Sequence, residues 1–270
     1  MKIISLCPSN TELIAYLGLL DHLIAVDEYS DWPPSVRALP QVGPDLNIDI
    51  DKVEAMKPDL VLASLSVPGM ERNVIELQKR NIPHLVLQPH SLNDIAGDLL
   101  RLGEALDQQK RAQTIVSRYH AFIDKYRQLA EKIEQRAQVY WEWWPKPVFT
   151  PGKANWLSEI SELAGGMNIF ADIKQANIQT NWEEVKVRNP EHICLVWVGV
   201  QTEKMDKNIV KKRPGWEEIE AVRTNRIYVL EEALYCRPSP RLLVGLKKLA
   251  PLLHPYIFPK DDGIDCLLGQ

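Results

Sequence analysis

Between Asp107 and Arg136 apolar residues return every three or four positions, at Ala112, Ile115, Val116, Tyr119, Phe122, Ile123, Tyr126, Leu129, Ala130 and Ile133. Arg111, Arg118, Lys125, Arg127, Glu131 and Lys132 fill the opposite side. This spacing predicts one long amphipathic helix. No Pro or Gly interrupts it, Asp107 stands where an N-cap belongs, and at 1.5 Å per residue it reaches about 40 Å. On both sides the pattern changes to short apolar runs bounded by Pro, Gly and Asn. These predict strands at residues 3–6, 23–26, 60–63, 85–87, 139–143, 193–198 and 227–230. Helices are expected at 13–20, capped by Ser9 or Asn10, at 51–56, from 71, at 91–106 and at 242–253. Residues 177–181 read as a polar loop, and the tail from Pro259 as poorly ordered.

The pattern repeats. Val53, Pro58, Asp59 and Val61 recur 132 positions later as Val185, Pro190, Glu191 and Ile193, each set reading as helix, Pro-marked turn and apolar strand. Both halves open with a strand, and Leu17-Gly18 in the first is echoed by Ala164-Gly165 in the second. The expected fold class is α/β: two lobes, each with a mostly parallel central sheet flanked by helices, joined by one long rigid helix. The expected boundaries are 1–106 for the first lobe, 107–136 for the helix and 137–270 for the second lobe. The expected working surface is a cleft.

Composition narrows the function. With 270 residues and 45% hydrophobic content the chain can bury two medium cores. A net charge of −4 without any block of Lys or Arg argues against nucleic acid or an anionic membrane as partner, and no run is long enough to span a bilayer. Cys7, Cys194, Cys236 and Cys266 are scattered without metal-ligand spacing and read as buried free thiols. Lys211, Lys212 and Arg213 read as a solvated basic face. Met1 and Lys2 lead straight into a strand with no apolar signal stretch, so the sequence as it stands reads as cytoplasmic, and as periplasmic or cell-surface if an export leader was trimmed. No nucleophile elbow, phosphate loop, dinucleotide fingerprint or paired His is present, which leans the reading from catalysis toward binding, with no intrinsic cofactor and no metal site. An enzyme would need an acid–base pair such as Glu142 with His90.

The candidate binding residues sit where open α/β sheets take ligands, in loops beyond strand carboxyl ends. Pro8-Ser9-Asn10-Thr11 follows the first strand. Tyr29-Ser30-Asp31-Trp32-Pro33-Pro34 places two aromatics in a rigid surface turn. Tyr140, Trp141, Trp143, Trp144, Phe149 and Trp156 form the densest aromatic cluster, too many rings for one lobe to bury, and flat rings suit a large, partly apolar guest. Arg237 lies in a rigid loop and can meet an anionic or amide-bearing group.

Taken together, Pro8-Ser9-Asn10-Thr11-Glu12, the Tyr29 to Pro34 turn, Lys57-Pro58-Asp59-Leu60-Val61, Gly165-Gly166-Met167-Asn168-Ile169-Phe170 and Arg237-Pro238-Ser239-Pro240-Arg241 resemble the vitamin B12-binding proteins of ABC importers. These belong to a helical-backbone group of substrate-binding proteins that also bind iron–siderophores and haem. The resemblance runs over nearly the whole chain and implies a corrinoid such as cobalamin, or a similar metal chelate, as ligand. It implies Pro8, Tyr29, Phe149 and Arg237 as contacts, with Trp32, Trp143 and Trp156 added from the aromatic pattern. It also implies Glu71 and Glu183 as acids that dock on the permease of an ABC transporter. Ser64 and Asn177 stand where a cobalamin binder carries tryptophan, and Ala233 where it carries an acid. The rivals are an iron–siderophore or haem binder of the same group, and a cytosolic enzyme, carrier or sensor on the same scaffold.

Overall fold

The computed structural model describes residues 1–269 and divides the chain into two compact units. Residues 1–89, 93–118 and 238–240 form the first; residues 90–92, 119–237 and those from 241 onward form the second.

In the first unit, β1 (Ile3–Ser5), β2 (Leu23–Val26), β3 (Leu60–Ser64) and β4 (His84–Leu87) make a sheet in the order β2-β1-β3-β4 with every pair parallel. The helices are α1 (Pro8–Tyr16), α2 (Ile50–Ala55), α3 (Glu71–Lys79) and α4 (Leu92–Ala105). A core of Ile4, Leu6, Ala25, Val53, Val61 and Leu77 lies against the sheet. Helix α1 begins earlier than expected, at Pro8, whose missing N–H falls where no helical bond is due. Ser9 and Asn10 are therefore inside the helix, all nine of whose residues are buried, and Asn10 Nδ2 donates to the Ala63 carbonyl at 3.0 Å.

Helix α5 (Gln109–Ala130) carries the chain from one unit to the other, the division falling between Arg118 and Tyr119. Its 22 residues span about 33 Å. It starts later than the periodicity suggested because Asp107 adopts φ 56°, a left-handed conformation that follows α4, and so cannot cap α5; it also stops sooner, at Ala130, where the Lys132 and Ile133 N–H groups turn back to the Leu129 and Ala130 carbonyls.

In the second unit, β5 (Ala137–Glu142), β8 (Gly166–Asn168), β10 (His192–Leu195) and β11 (Ile227–Val229) form a parallel sheet in the order β11-β10-β5-β8. Its helices include α6 (Trp156–Leu163), α7 (Trp182–Arg188), α8 (Glu220–Arg223) and α9 (Leu242–Leu253). An antiparallel sheet of β6 (Trp144–Pro145), β7 (Val148–Pro151) and β9 (Asn177–Thr180) is added to this unit. The segment read as a polar loop is thus strand β9. Only Ile178 of its four residues is buried, and one apolar position among polar ones carries no visible alternation. The tail is packed rather than loose: Lys247 Nζ bonds Asp262 and the Ile264 carbonyl, and Leu267 is buried.

The repeat holds at atomic detail. In one unit the Lys2 N–H donates to Asp59 Oδ2 at 2.6 Å while the Asp59 N–H donates to the Lys2 carbonyl at 2.9 Å. In the other, the Gln138 N–H donates to Glu191 Oε2 at 2.8 Å and the Glu191 N–H to the Gln138 carbonyl at 2.9 Å. Each acid precedes the strand that pairs beside the opening strand, and the turn ahead of it contains a left-handed residue, Lys57 at φ 50° and Asn189 at φ 45°. Strands β1, β2, β3 and β4 correspond in order and neighbour to β5, β8, β10 and β11.

Candidate functional site

In the first unit, a buried hydroxyl network at the carboxyl ends of β1 and β2 fixes the aromatic turn. Asp27 is fully buried, and its carboxylate accepts from the Ser30 hydroxyl at 2.5 Å and from the Tyr29 N–H at 2.8 Å. Thr11 Oγ1 lies 2.7 Å from Ser30 Oγ and 2.9 Å from Ser5 Oγ, tying the turn to α1 and β1. The backbone of Tyr29 is pinned while its ring stands 53% exposed. Trp32 is half-buried, its ring 5.4 Å from that of Tyr16. Pro8 is buried as the first residue of α1. Ser64 is buried with its hydroxyl 2.8 Å from that of Ser66, so no large side chain projects there. The Ser239 hydroxyl donates to the buried carboxylate of Glu12. Glu71, exposed at the start of α3, accepts from the Gly69 N–H at 2.7 Å.

In the second unit, backbone bonds draw three aromatic segments together. The Trp143 N–H donates to the Phe149 carbonyl at 2.9 Å, and the Val198 N–H donates to the Trp143 carbonyl at 3.2 Å. Phe149 is 37% exposed and Trp144, its cross-strand partner, 42%. Trp143 is half-exposed, with its indole N–H buried and unpartnered. Gly152 follows, where a Cβ would stand 2.2 Å from the Gln175 carbonyl, so only glycine fits. Trp156 corrects the expectation: it is buried at the start of α6, its indole N–H donating to the Tyr235 carbonyl at 2.8 Å, and so backs the wall instead of offering a stacking face. Glu183 is exposed in the first turn of α7, which Asn181 caps by accepting from the Glu184 N–H at 2.9 Å.

Arg237 is nearly buried, and its Nη2 lies 3.3 Å from Glu232 Oε2. An acid does therefore accompany this arginine, at the position before Ala233.

The largest departure is Glu142. It is fully buried at the end of β5 and accepts both arms of the Arg213 guanidinium, at 2.6 and 2.7 Å, the Tyr140 hydroxyl at 2.9 Å and the Trp197 indole N–H at 3.0 Å. Burial and the adjoining carboxylate raise the Tyr140 phenol well above its usual pKa. The guanidinium also lies 4.4 Å from the Trp216 ring centroid and 5.0 Å from that of Trp182. Arg213 thus leaves the solvated basic face expected for it. With every lone-pair direction of Glu142 engaged, it has no capacity left as an acid–base partner for His90, an exposed loop residue. Trp197 lies beyond β10, not within it, which lets its ring reach Glu142.

Cys7 and Cys194 are buried free thiols, the first pushed up to about 12 and the second higher still by desolvation, so neither is a ready nucleophile or metal ligand. Among the described residues no group of three or more His, Cys, Asp and Glu could hold a metal ion, and no helix is long and apolar enough to cross a membrane.

Comparison with known proteins agrees with this architecture. Residues 3–234 match the periplasmic binding protein family. The ABC transporter substrate-binding lipoprotein YvrC of Bacillus subtilis is 32% identical over 267 residues, 95% of this chain and 81% of that protein. The crystal structure of the periplasmic vitamin B12 binding protein BtuF of Vibrio cholerae superposes with a TM-score of 0.76 at 29% identity, covering 93% of this chain and 96% of that one. A possible iron-binding periplasmic solute-binding protein of Staphylococcus epidermidis gives 0.79 at 26% identity, covering 94% and 98%.

Proposed function

The chain belongs to the periplasmic binding protein family, and from that membership we propose that it captures a corrinoid, or a metal chelate of similar size and flatness, for an ABC importer. It is a substrate-binding protein and not an enzyme; such proteins bind small molecules and deliver them to a permease. The observation that carries the ligand class is made in each unit by itself: an exposed aromatic on hydrogen-bonded backbone, Tyr29 in the first and Phe149 in the second. Flat apolar rings held in this way, with a few polar groups beside them, suit a broad macrocycle better than a small ion or sugar. The similarity to the vitamin B12 binding protein supports the corrinoid form of this reading.

Tyr29 and Trp32 in the first unit and Trp143 and Phe149 in the second supply stacking surface, Pro8 starts helix α1 in the first unit, and Arg237, oriented by Glu232, offers N–H donors to amide or carboxylate oxygens on the ligand rim. Glu71 and Glu183, exposed at helix starts, present one acid per unit to arginines of a permease. The relatives described as a lipoprotein and as periplasmic support a place of work outside the cytoplasm.

Equilibrium dialysis of the purified protein against cyanocobalamin, haemin and a ferric hydroxamate tests the reading. Saturable one-to-one binding of cyanocobalamin at micromolar concentration or below is expected. Preference for haemin or the ferric chelate would move the protein to the iron branch, which the likeness to the Staphylococcus epidermidis protein favours. No binding of any of the three would overturn the proposal. Charge reversal of both acids (Glu71→Lys with Glu183→Lys) is expected to leave ligand affinity unchanged while abolishing ligand-dependent stimulation of the importer's ATPase; retained stimulation would remove the docking role.

A further inference from the structure

We propose that Trp197 is a further guest-facing ring of the second unit and that Glu142, locked by Arg213, is its positioning residue. This rests on the binding reading above and extends it to a residue that neither motif nor resemblance singled out.

Three observations carry it. The first is placement. Trp197 leaves the carboxyl end of β10, the strand next to β5 in the sheet, and sits between Val196, whose N–H donates to the Glu142 carbonyl at 3.0 Å, and Val198, bonded to Trp143. The same ladder continues from Trp143 to Phe149, so Trp197 belongs to the rim that carries the proposed stacking residues. The second is its half-burial. Trp197 packs on the core that includes Val210 and Trp216 without being fully buried, while the next residue, Val198, is 51% exposed. Gly199, at φ 74°, has nothing within 4 Å of where a Cβ would lie, so the turn two residues past Trp197 stands clear of other segments.

The third is the hardware behind it. A tryptophan needed only as filling does not require a buried carboxylate to aim its indole, because burying a charge is costly unless it is fully paired. Here Glu142 Oε1 takes the indole N–H, and the two-pronged Arg213 contact prevents the carboxylate from rotating. Trp182 and Trp216, against the guanidinium, in turn restrict Arg213. A ring so constrained loses little conformational entropy on stacking with a guest, and pre-set aromatic anchors of this kind dominate binding energies.

The test uses the full chain with cyanocobalamin and haemin as probes, in wild type, Trp197→Phe, Trp197→Ala and Glu142→Gln. Trp197→Ala is expected to weaken binding of the preferred probe about tenfold or more, and Trp197→Phe, which keeps a flat ring, by about threefold or less. Incorporation of 5-fluorotryptophan gives a readout that mere stability would not move. The Trp197 resonance, identified by its loss in Trp197→Phe, is expected to shift on adding the probe, and to broaden in Glu142→Gln while those of Trp32 and Trp144 do not. If wild type binds but Trp197→Ala binds equally well, or the Trp197 resonance is unmoved by the probe, Trp197 is not guest-facing. If Trp197 responds but Glu142→Gln leaves its line sharp, the positioning role fails. Should Glu142→Gln not fold, Arg213→Lys, which keeps the charge and removes the fork, takes its place with the same expected broadening. Wild type binding neither probe would sink this inference together with the reading it rests on, a result distinct from a silent Trp197.

Discussion

At the scale of single residues, two carboxylates show how aromatic residues at the surface are set from behind. Asp27 holds the Tyr29 backbone and Glu142 holds the Trp197 indole, and both are fully buried. The exposure of Tyr29 and Phe149 was legible in the sequence because rings in Pro-bounded turns have nowhere to hide, whereas Trp156, expected beside them, is buried and Trp197 carried no such signal. Their supports were not: Arg213 lies 71 positions from Glu142, and nothing local distinguishes it from the exposed Lys211 and Lys212 beside it. Breaking such a pair strands a buried charge. Arg213→Ala is therefore expected to destabilise the protein by about 3–5 kcal/mol in urea unfolding, and Arg213→Ala combined with Glu142→Ala by less than the sum of the single changes. Additivity would show that the two do not act as a pair.

Among elements, the duplicated turn, strand and acid at Asp59 and Glu191 were readable because the helix, the proline and the strand fall in the same order at a fixed distance. Element ends were less so. Asp107 suits an N-cap by residue type, yet its left-handed φ ends the preceding helix. Ser9 and Asn10 also look like caps, but Pro8 starts α1 ahead of them. Strand β9 escaped notice because an exposed strand of Asn, Ile, Gln and Thr carries little hydrophobic signal. Gly152 is the element-scale position with least tolerance. The Gln175 and Ile173 carbonyls would stand 2.2 and 2.9 Å from an added Cβ. Gly152→Ala is expected to cost about 3 kcal/mol and to weaken ligand binding through displacement of β7, measured by thermal unfolding and dialysis together. An unchanged melting temperature would contradict the packing described.

At the scale of the whole molecule, one buried titratable group in each unit makes a contribution to stability that changes with acid in the opposite direction to the other. In the first, burial raises the Asp98 carboxyl to about 6, above its ordinary 3.8. Its ionisation opposes folding, so stability is full below pH 4 and is lost as pH rises through 6. In the second, burial depresses His192 to about 4 from 6.5, so its contribution is present above pH 6.5 and lost as pH falls toward 4. Each is worth up to about 3 kcal/mol at its limit. Asp98→Asn is expected to stabilise the chain at pH 7 and not at pH 4, and His192→Gln to flatten the loss between pH 6.5 and 4. Calorimetry of each variant against wild type across that range checks both signs, and a variant difference independent of pH would refute the corresponding assignment.

The family and its two-unit plan were legible because several motifs agreed over nearly the full length, whereas the choice of ligand depends on rings and donors contributed by segments far apart in sequence. A crystal structure grown with cyanocobalamin, located by the anomalous signal of its cobalt, addresses that choice most directly. The corrin is expected within about 7 Å, ring to ring, of Tyr29, Phe149 or Trp197, with Arg237 donating to a side-chain amide. A saturating ligand whose cobalt lies away from all of these residues would contradict it.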